Sequence, residues 1–112
     1  MTQYLVAIHR PDFYDGATED AAMREGISAL NREMIAAGVR LFAGGLQPPS
    51  KAIAVRRKAA GDLLVTDGPY LETKEHIGGF WILDVATRED ALLWAKKAAE
   101  SCRCSVEARP LF

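Results

Sequence analysis

The sequence predicts an α+β fold of the ferredoxin-like, split β-α-β kind with an extra hairpin. Three observations predict it. Two apolar stripes of helical period each follow a strand-like run, paired extended runs lie between them, and 112 residues suffice for one core but not two. One domain spanning residues 1–112 is expected.

Residues 3–8, QYLVAI, place Tyr4, Val6 and Ile8 on one face and Leu5 and Ala7 on the other. Two apolar faces predict a central strand. After the turn-rich HRPDFYDGA, Thr18 is placed to cap a helix whose first turn carries Glu19 and Asp20, where negative charge suits the helix dipole. Met23, Ile27, Leu30 and Met34, spaced four, three and four, form its buried stripe, and Gly38 can supply a left-handed end. Arg24, Asn31 and Arg32 read as its solvated face.

Residues 39–43 form the next strand, broken by Gly44-Gly45 and Pro48-Pro49. Two extended runs, 52–56 and 63–66, flank a connection at 58–62 that contains Gly61, which predicts a β-hairpin. Arg56, Arg57 and Lys58 beside Asp62 read as a solvated tip rather than a phosphate site. Residues 79–85 alternate strongly, with Phe80, Ile82 and Asp84 facing away from Trp81, Leu83 and Val85. Thr87 opens T-R-E-D, an imperfect capping box, and Ala91, Leu92, Ala95, Ala98 and Ala99 make the second helical stripe. Residues 105–108 close the sheet before Pro110.

Both helices then lie on one sheet face. Burying apolar surface stabilises by about 25 cal/mol per Å², and so small a chain has no third layer to cover the other face. A homodimer packed sheet on sheet is the expected solution.

Composition narrows the function classes. Hydrophobic residues make up 49% and charged residues 26%, an ordinary globular balance. With 14 Lys plus Arg against 15 Asp plus Glu, net charge is -1, so no field draws the chain to nucleic acid or to an anionic membrane. There is no apolar run of about 20 residues and no signal-peptide pattern at the N-terminus, so a cytoplasmic location is expected. Cys102 and Cys104 are one residue apart, which closes a tight, strained ring on oxidation and makes a poor zinc pair. The plainer reading is two reduced thiols, with metal or redox use as the alternative.

The densest chemistry lies in residues 65–84, VTDGPYLETKEHIGGFWILD. Asp67-Gly68-Pro69 reads as a strand ending in a turn. Gly78-Gly79 reads as a bulge or a close backbone approach, or as a place where a ligand lies against the backbone. In an extended segment Glu72, Lys74 and His76 share a face, while Thr73 and Glu75 point the other way. A carboxylate, an ammonium and an imidazole together permit proton transfer near neutral pH, although such groups more often decorate a surface. His9 lies just past the first strand. Nucleotide-loop, zincin and nucleophile-elbow motifs are missing, so no cofactor and no metal are expected.

The pattern D-G-P-Y-x-E-x-K-E-x-x-G-G-F at 67–80 resembles the signature of the DGPF branch of the YCII-related proteins. Looser similarity runs through YLVAIHRPDFY, AGVRLFAGGLQ, ALLWA and VEARP. The resemblance implies ferredoxin-like protomers paired in a dimeric α/β barrel, and it marks Asp67, Gly68, Pro69, Glu72, Lys74, Glu75, Gly78 and Gly79. Tyr70 stands where phenylalanine is usual, and His76 lies outside the motif. Related proteins suspected of enzymatic activity carry a histidine on the first helix, which residues 21–37 lack. The association of this branch with sigma-factor systems implies a regulatory role and a sigma-factor-related protein partner.

Two functions are therefore expected as alternatives. The first is a homodimeric small-molecule binding or regulatory module, with Asp67, Glu72 and Lys74 lining its cleft and His9, Gly68, Tyr70, Glu75, Gly78 and Gly79 near the ligand. The second is a lyase- or hydrolase-type enzyme with Asp67 or Glu72 as general base and Lys74 steadying an anion. A carboxylate facing an apolar pocket favours the enzyme; these side chains in solvent or in plain ion pairs favour the module.

Overall fold

The first strand organises the molecule, because its alternating pattern is buried under helices on one side and meets sheet neighbours along both edges. In the computed structural model, described over residues 1–12, 14–70 and 74–112, the core elements are β1 (Thr2–Pro11), α1 (Ala21–Ala36), β2 (Arg40–Gly45), β5 (Glu75–Val85), α2 (Arg88–Cys102) and β6 (Ser105–Pro110). They build an antiparallel sheet in the order β2-β5-β1-β6. This is the split β-α-β arrangement, with β1 and β5 central. Between β2 and β5 are inserted β3 (Ile53–Arg57) and β4 (Leu63–Asp67), which pair only with each other among the described residues.

Tyr4, Val6 and Ile8 of β1 and Trp81, Leu83 and Val85 of β5 face the helices, where Leu30, Met34, Ala91, Ala98 and Cys102 complete the core. The predicted stripe of α1 is the buried one, whereas on α2 Ala91 and Ala98 are buried, Ala95 and Ala99 are half-buried, and Leu92 is exposed because it lies one position round the helix from Ala91. Helix α1 starts two residues later than Thr18 would set it: the Asp20 carboxylate accepts the Met23 N–H at 2.7 Å, while Thr18 closes a short 3-10 turn by donating to the Asp15 carbonyl. An ionised carboxylate caps more strongly than a hydroxyl, and Asp20 is the residue immediately before the helix. The other end is as expected. Gly38, at φ 72°, donates to Ile35 O, and Val39 donates to Met34 O, closing the helix. Asn31 is not on a solvated face: it follows Ile27 by one turn, donates to the Ile27 carbonyl and accepts the Trp81 indole N–H at 2.9 Å.

The opposite sheet face carries Leu5, Ala7, Phe80 and Ile82, with Phe42 stacked on Phe80 at 5.7 Å between ring centroids. Beyond it stands the hairpin. Its register puts Ile53, Val55, Leu63 and Val65 on one face, all of them exposed. No other described strand or helix packs substantially against these strands. The radius of gyration is 16.0 Å, against about 13 Å for a compact chain near this length. The hairpin is an arm.

Candidate functional site

Extending the β1 alternation Tyr4, Val6, Ile8 by one step puts Arg10 on the helix-covered face. It is the one charged residue buried with the core among those described, at 9% exposure. Burial of a guanidinium is costly unless its donors are used. Nη1 donates to the Cys102 carbonyl at 2.5 Å, where α2 ends. The guanidinium carbon lies 4.4 Å from the centre of the Tyr14 ring, and Nη2 is 3.5 Å from Glu19 Oε1. The Tyr14 hydroxyl donates to that same Glu19 oxygen at 2.5 Å. Burial first, then this bond to a carboxylate, pushes the Tyr14 pKa up to about 12, so the phenol keeps its proton.

A bulge completes the cluster. Ile8 pairs with Gly79 and His9 with Ile77, leaving Gly78 without an opposite residue on β1. A methyl group at Gly78 would stand 2.6 Å from the Arg10 Cγ, and one at Gly79 would stand 3.0 Å from the Gly44 carbonyl oxygen. Both glycines are close-approach positions. The extra residue also reverses the alternation of β5, so that His76 pairs with Arg10 and shares its face instead of that of Phe80 and Ile82. There His76 Nε2 lies 3.0 Å from Asp12 Oδ1; the imidazole is 13% exposed and the carboxylate 66%. The Asp12 N–H donates to the Lys74 carbonyl at 2.7 Å, fixing the strand end that carries the pair.

Two adjoining hollows share Arg10, Glu19 and Gly78. One, of about 320 Å³, opens between Asp12, Tyr14, His76 and the Pro48-Pro49 turn. The other, of about 400 Å³, runs under Ile8, Asn31, Arg40, Trp81 and Phe80 between sheet and α1. Together they offer an apolar floor, a buried cation and a carboxylate beside it, with an imidazole-carboxylate pair at the mouth. No group of three or more His, Cys, Asp or Glu among the described residues is placed to hold a metal. None of the described helices is long and apolar enough to cross a membrane.

Of the residues singled out in the sequence, Gly78 and Gly79 line these hollows, and His76 does too. Asp67 ends β4 exposed; Lys74 and Glu75 are exposed at the start of β5, and Lys74 meets the site through its carbonyl. Gly68 takes φ 97° and its N–H donates to the Ala52 carbonyl at the arm's base. Tyr70 is exposed beneath the Arg56 guanidinium, 5.0 Å from its ring centre. His9 looks to the opposite sheet face, 3.9 Å from Glu107 Oε2. Glu72 lies outside the described residues. Arg10, Asp12, Tyr14 and Glu19 were not anticipated. Their one signal was an arginine continuing the core-facing alternation of β1.

A model of the YCII-related domain matches residues 1–112. The chain belongs to the YCII-related family. Within the curated proteins it is similar to an uncharacterised protein of Rhizobium meliloti (strain 1021), 37% identical over 95 residues, covering 83% of this chain and 76% of the relative. For this YCII-related chain the family thus agrees with the split β-α-β protomer, and the chemistry rests on the residues around Arg10.

Proposed function

We propose that the protein is a small-molecule binding module that takes a ligand with an anionic group in the paired hollows around Arg10. One observation carries this: the buried guanidinium opens onto both hollows, and its ion pair with Glu19 is a long 3.5 Å contact. A charge-assisted bond of full strength is about 2.7–2.9 Å, so a carboxylate entering from the hollow can engage Arg10 more tightly than Glu19 does. Asn31, Arg40 and Trp81 would border the rest of the ligand. Asp67 and Lys74, both exposed, fit a module better than a proton-transfer centre.

The test is a thermal-shift screen of a graded series of small carboxylic acids against the wild type, then against Arg10→Gln. A stabilising acid whose effect disappears in Arg10→Gln supports the reading; an acid that stabilises both alike sinks it. A second reading, a lyase- or hydrolase-type enzyme, is favoured by the His76 and Asp12 pair, which has the geometry of an oriented imidazole base. His76→Gln separates the two: an enzyme keeps ligand binding and loses turnover, whereas a module has no turnover to lose.

The module is proposed to act as a homodimer, supported by the apolar sheet face of Leu5, Phe42, Phe80 and Ile82 and by the bare arm. A two-stranded hairpin alone is marginal in water. Sedimentation at micromolar concentration is expected to show a dimer that Phe42→Glu dissociates; a wild-type monomer there rejects it.

A further inference from the structure

The two cysteines meet at the end of α2 in an arrangement the binding reading does not use. Helix α2 ends at Cys102, and the next residue, Arg103, takes a left-handed conformation (φ 52°, ψ 45°), the one described non-glycine residue with positive φ. That conformation is disfavoured for an L-residue and needs support from its surroundings. Support comes from the Asp20 carboxylate, whose two oxygens pair with the Arg103 guanidinium at 3.2 and 3.3 Å while Oδ1 also caps α1. The reversal folds Cys104 back onto the core cluster that contains Cys102.

Their surroundings differ. Cys102 is fully buried, and Cys104 is partly exposed. The Cys102 thiol, the Arg10 guanidinium and the His9 backbone N–H favour the Cys104 thiolate; against burial and the Glu75 carboxylate, they hold its pKa down to about 7. The Cys104 sulfur, then burial, push Cys102 upward. One sulfur is a partly ionised, reachable nucleophile, and the other is a protonated thiol two residues away across the reversed turn.

We propose that Cys104 and Cys102 are a reversible oxidation site, with Cys104 oxidised by hydroperoxides and Cys102 closing an intramolecular disulfide. In the first step the Cys104 thiolate displaces the distal peroxide oxygen. The O–O bond breaks, the sulfur is oxidised to a sulfenic acid, and the peroxide is reduced and leaves as an alcohol or water with one proton. In the second, Cys102 gives up its proton and its sulfur attacks the Cys104 sulfur; the S–O bond breaks and water leaves. Two thiols and one hydroperoxide become one disulfide, one alcohol and one water. The small ring is strained, which makes it easily reduced by a low-molecular-weight thiol. Easy reduction is what a reversible site needs.

Graded hydrogen peroxide, read by intact mass, thiol titration and non-reducing electrophoresis, tests this on the full chain. The wild type is expected to lose both thiols and two hydrogens in mass without cross-linking chains, and to recover with dithiothreitol. Cys102→Ser, with Cys102→Ala as a second variant should the buried serine perturb folding, is expected to stop at a sulfenic acid that dimedone labels. Cys104→Ser is expected to stay unmodified at the same dose. Oxygen adducts without a disulfide in the wild type, a disulfide only between chains, or equally fast oxidation of Cys104→Ser would each overturn the proposal.

Discussion

The hairpin arm and the Arg10 cluster divide one sequence motif between them, and they are held by opposite means. Asp67, Gly68 and Tyr70 belong to the arm, where Ile53, Val55, Leu63 and Val65 face solvent and backbone pairing is the main tie. Gly78 and Gly79 belong to the cluster, where a buried cation, a phenol, a carboxylate and a helix-end carbonyl are packed on a strand bulge. Density of charged letters marked the exposed region. Tight packing marks the other, and there a single side chain has many dependants.

If that contrast is right, the largest effect comes from filling the bulge. Gly78→Val has no room beside Arg10 and is expected to lose about 3 kcal/mol in denaturant unfolding, together with any carboxylate-induced thermal shift. A stability near wild type would mean that Arg10 can leave its place freely. Next is Arg10→Met, which removes the Tyr14 ring contact and leaves the Cys102 carbonyl and Glu19 without the guanidinium. A loss of about 2 kcal/mol is expected, kept modest because Glu19 is partly hydrated.

A smaller effect is a pH dependence. Folded Tyr14 holds its proton up to about pH 12, against an ordinary tyrosine value of 10.0, so its contribution is complete below pH 10 and is lost as pH rises through 12. Unfolding free energy should fall by on the order of 1–2 kcal/mol more in the wild type than in Tyr14→Phe across that window. Parallel curves would dismiss the Tyr14 and Glu19 bond as a stabilising contact. The smallest effect is expected at the exposed charges of the motif: Asp67→Asn with Lys74→Met should change stability by less than about 0.5 kcal/mol and leave carboxylate binding intact. Loss of binding there would join the two regions into one site.

Much of the fold was legible because it depends on periodicity. Ile27, Leu30 and Met34 of the first stripe, Ala91 and Ala98 of the second, and the alternation of β1 and β5 are the ones that face each other in the core, while Leu92 was placed in the second stripe and is exposed. The α1 cap was misplaced because Thr18 and Asp20 are both capping types, and only the backbone turn at 16–18 decides between them. The site was less legible for two physical reasons. Arg10 and its acceptor on Cys102 are 92 residues apart, so no local pattern joins them. His76 changes faces because Gly78 is an uncounted residue in the strand, and a glycine doublet does not reveal whether it bends, bulges or merely passes close.

That uncounted residue gives the strand a phase. Were Gly78 to take a place in the ladder opposite His9, alternation would be strict: the sheet could still pair along its whole length, yet the imidazole would turn out through the opposite surface and the isoleucine at 77 would turn in. A shift of one position would then exchange a wet, polar wall for a greasy one without altering a single letter of the chain.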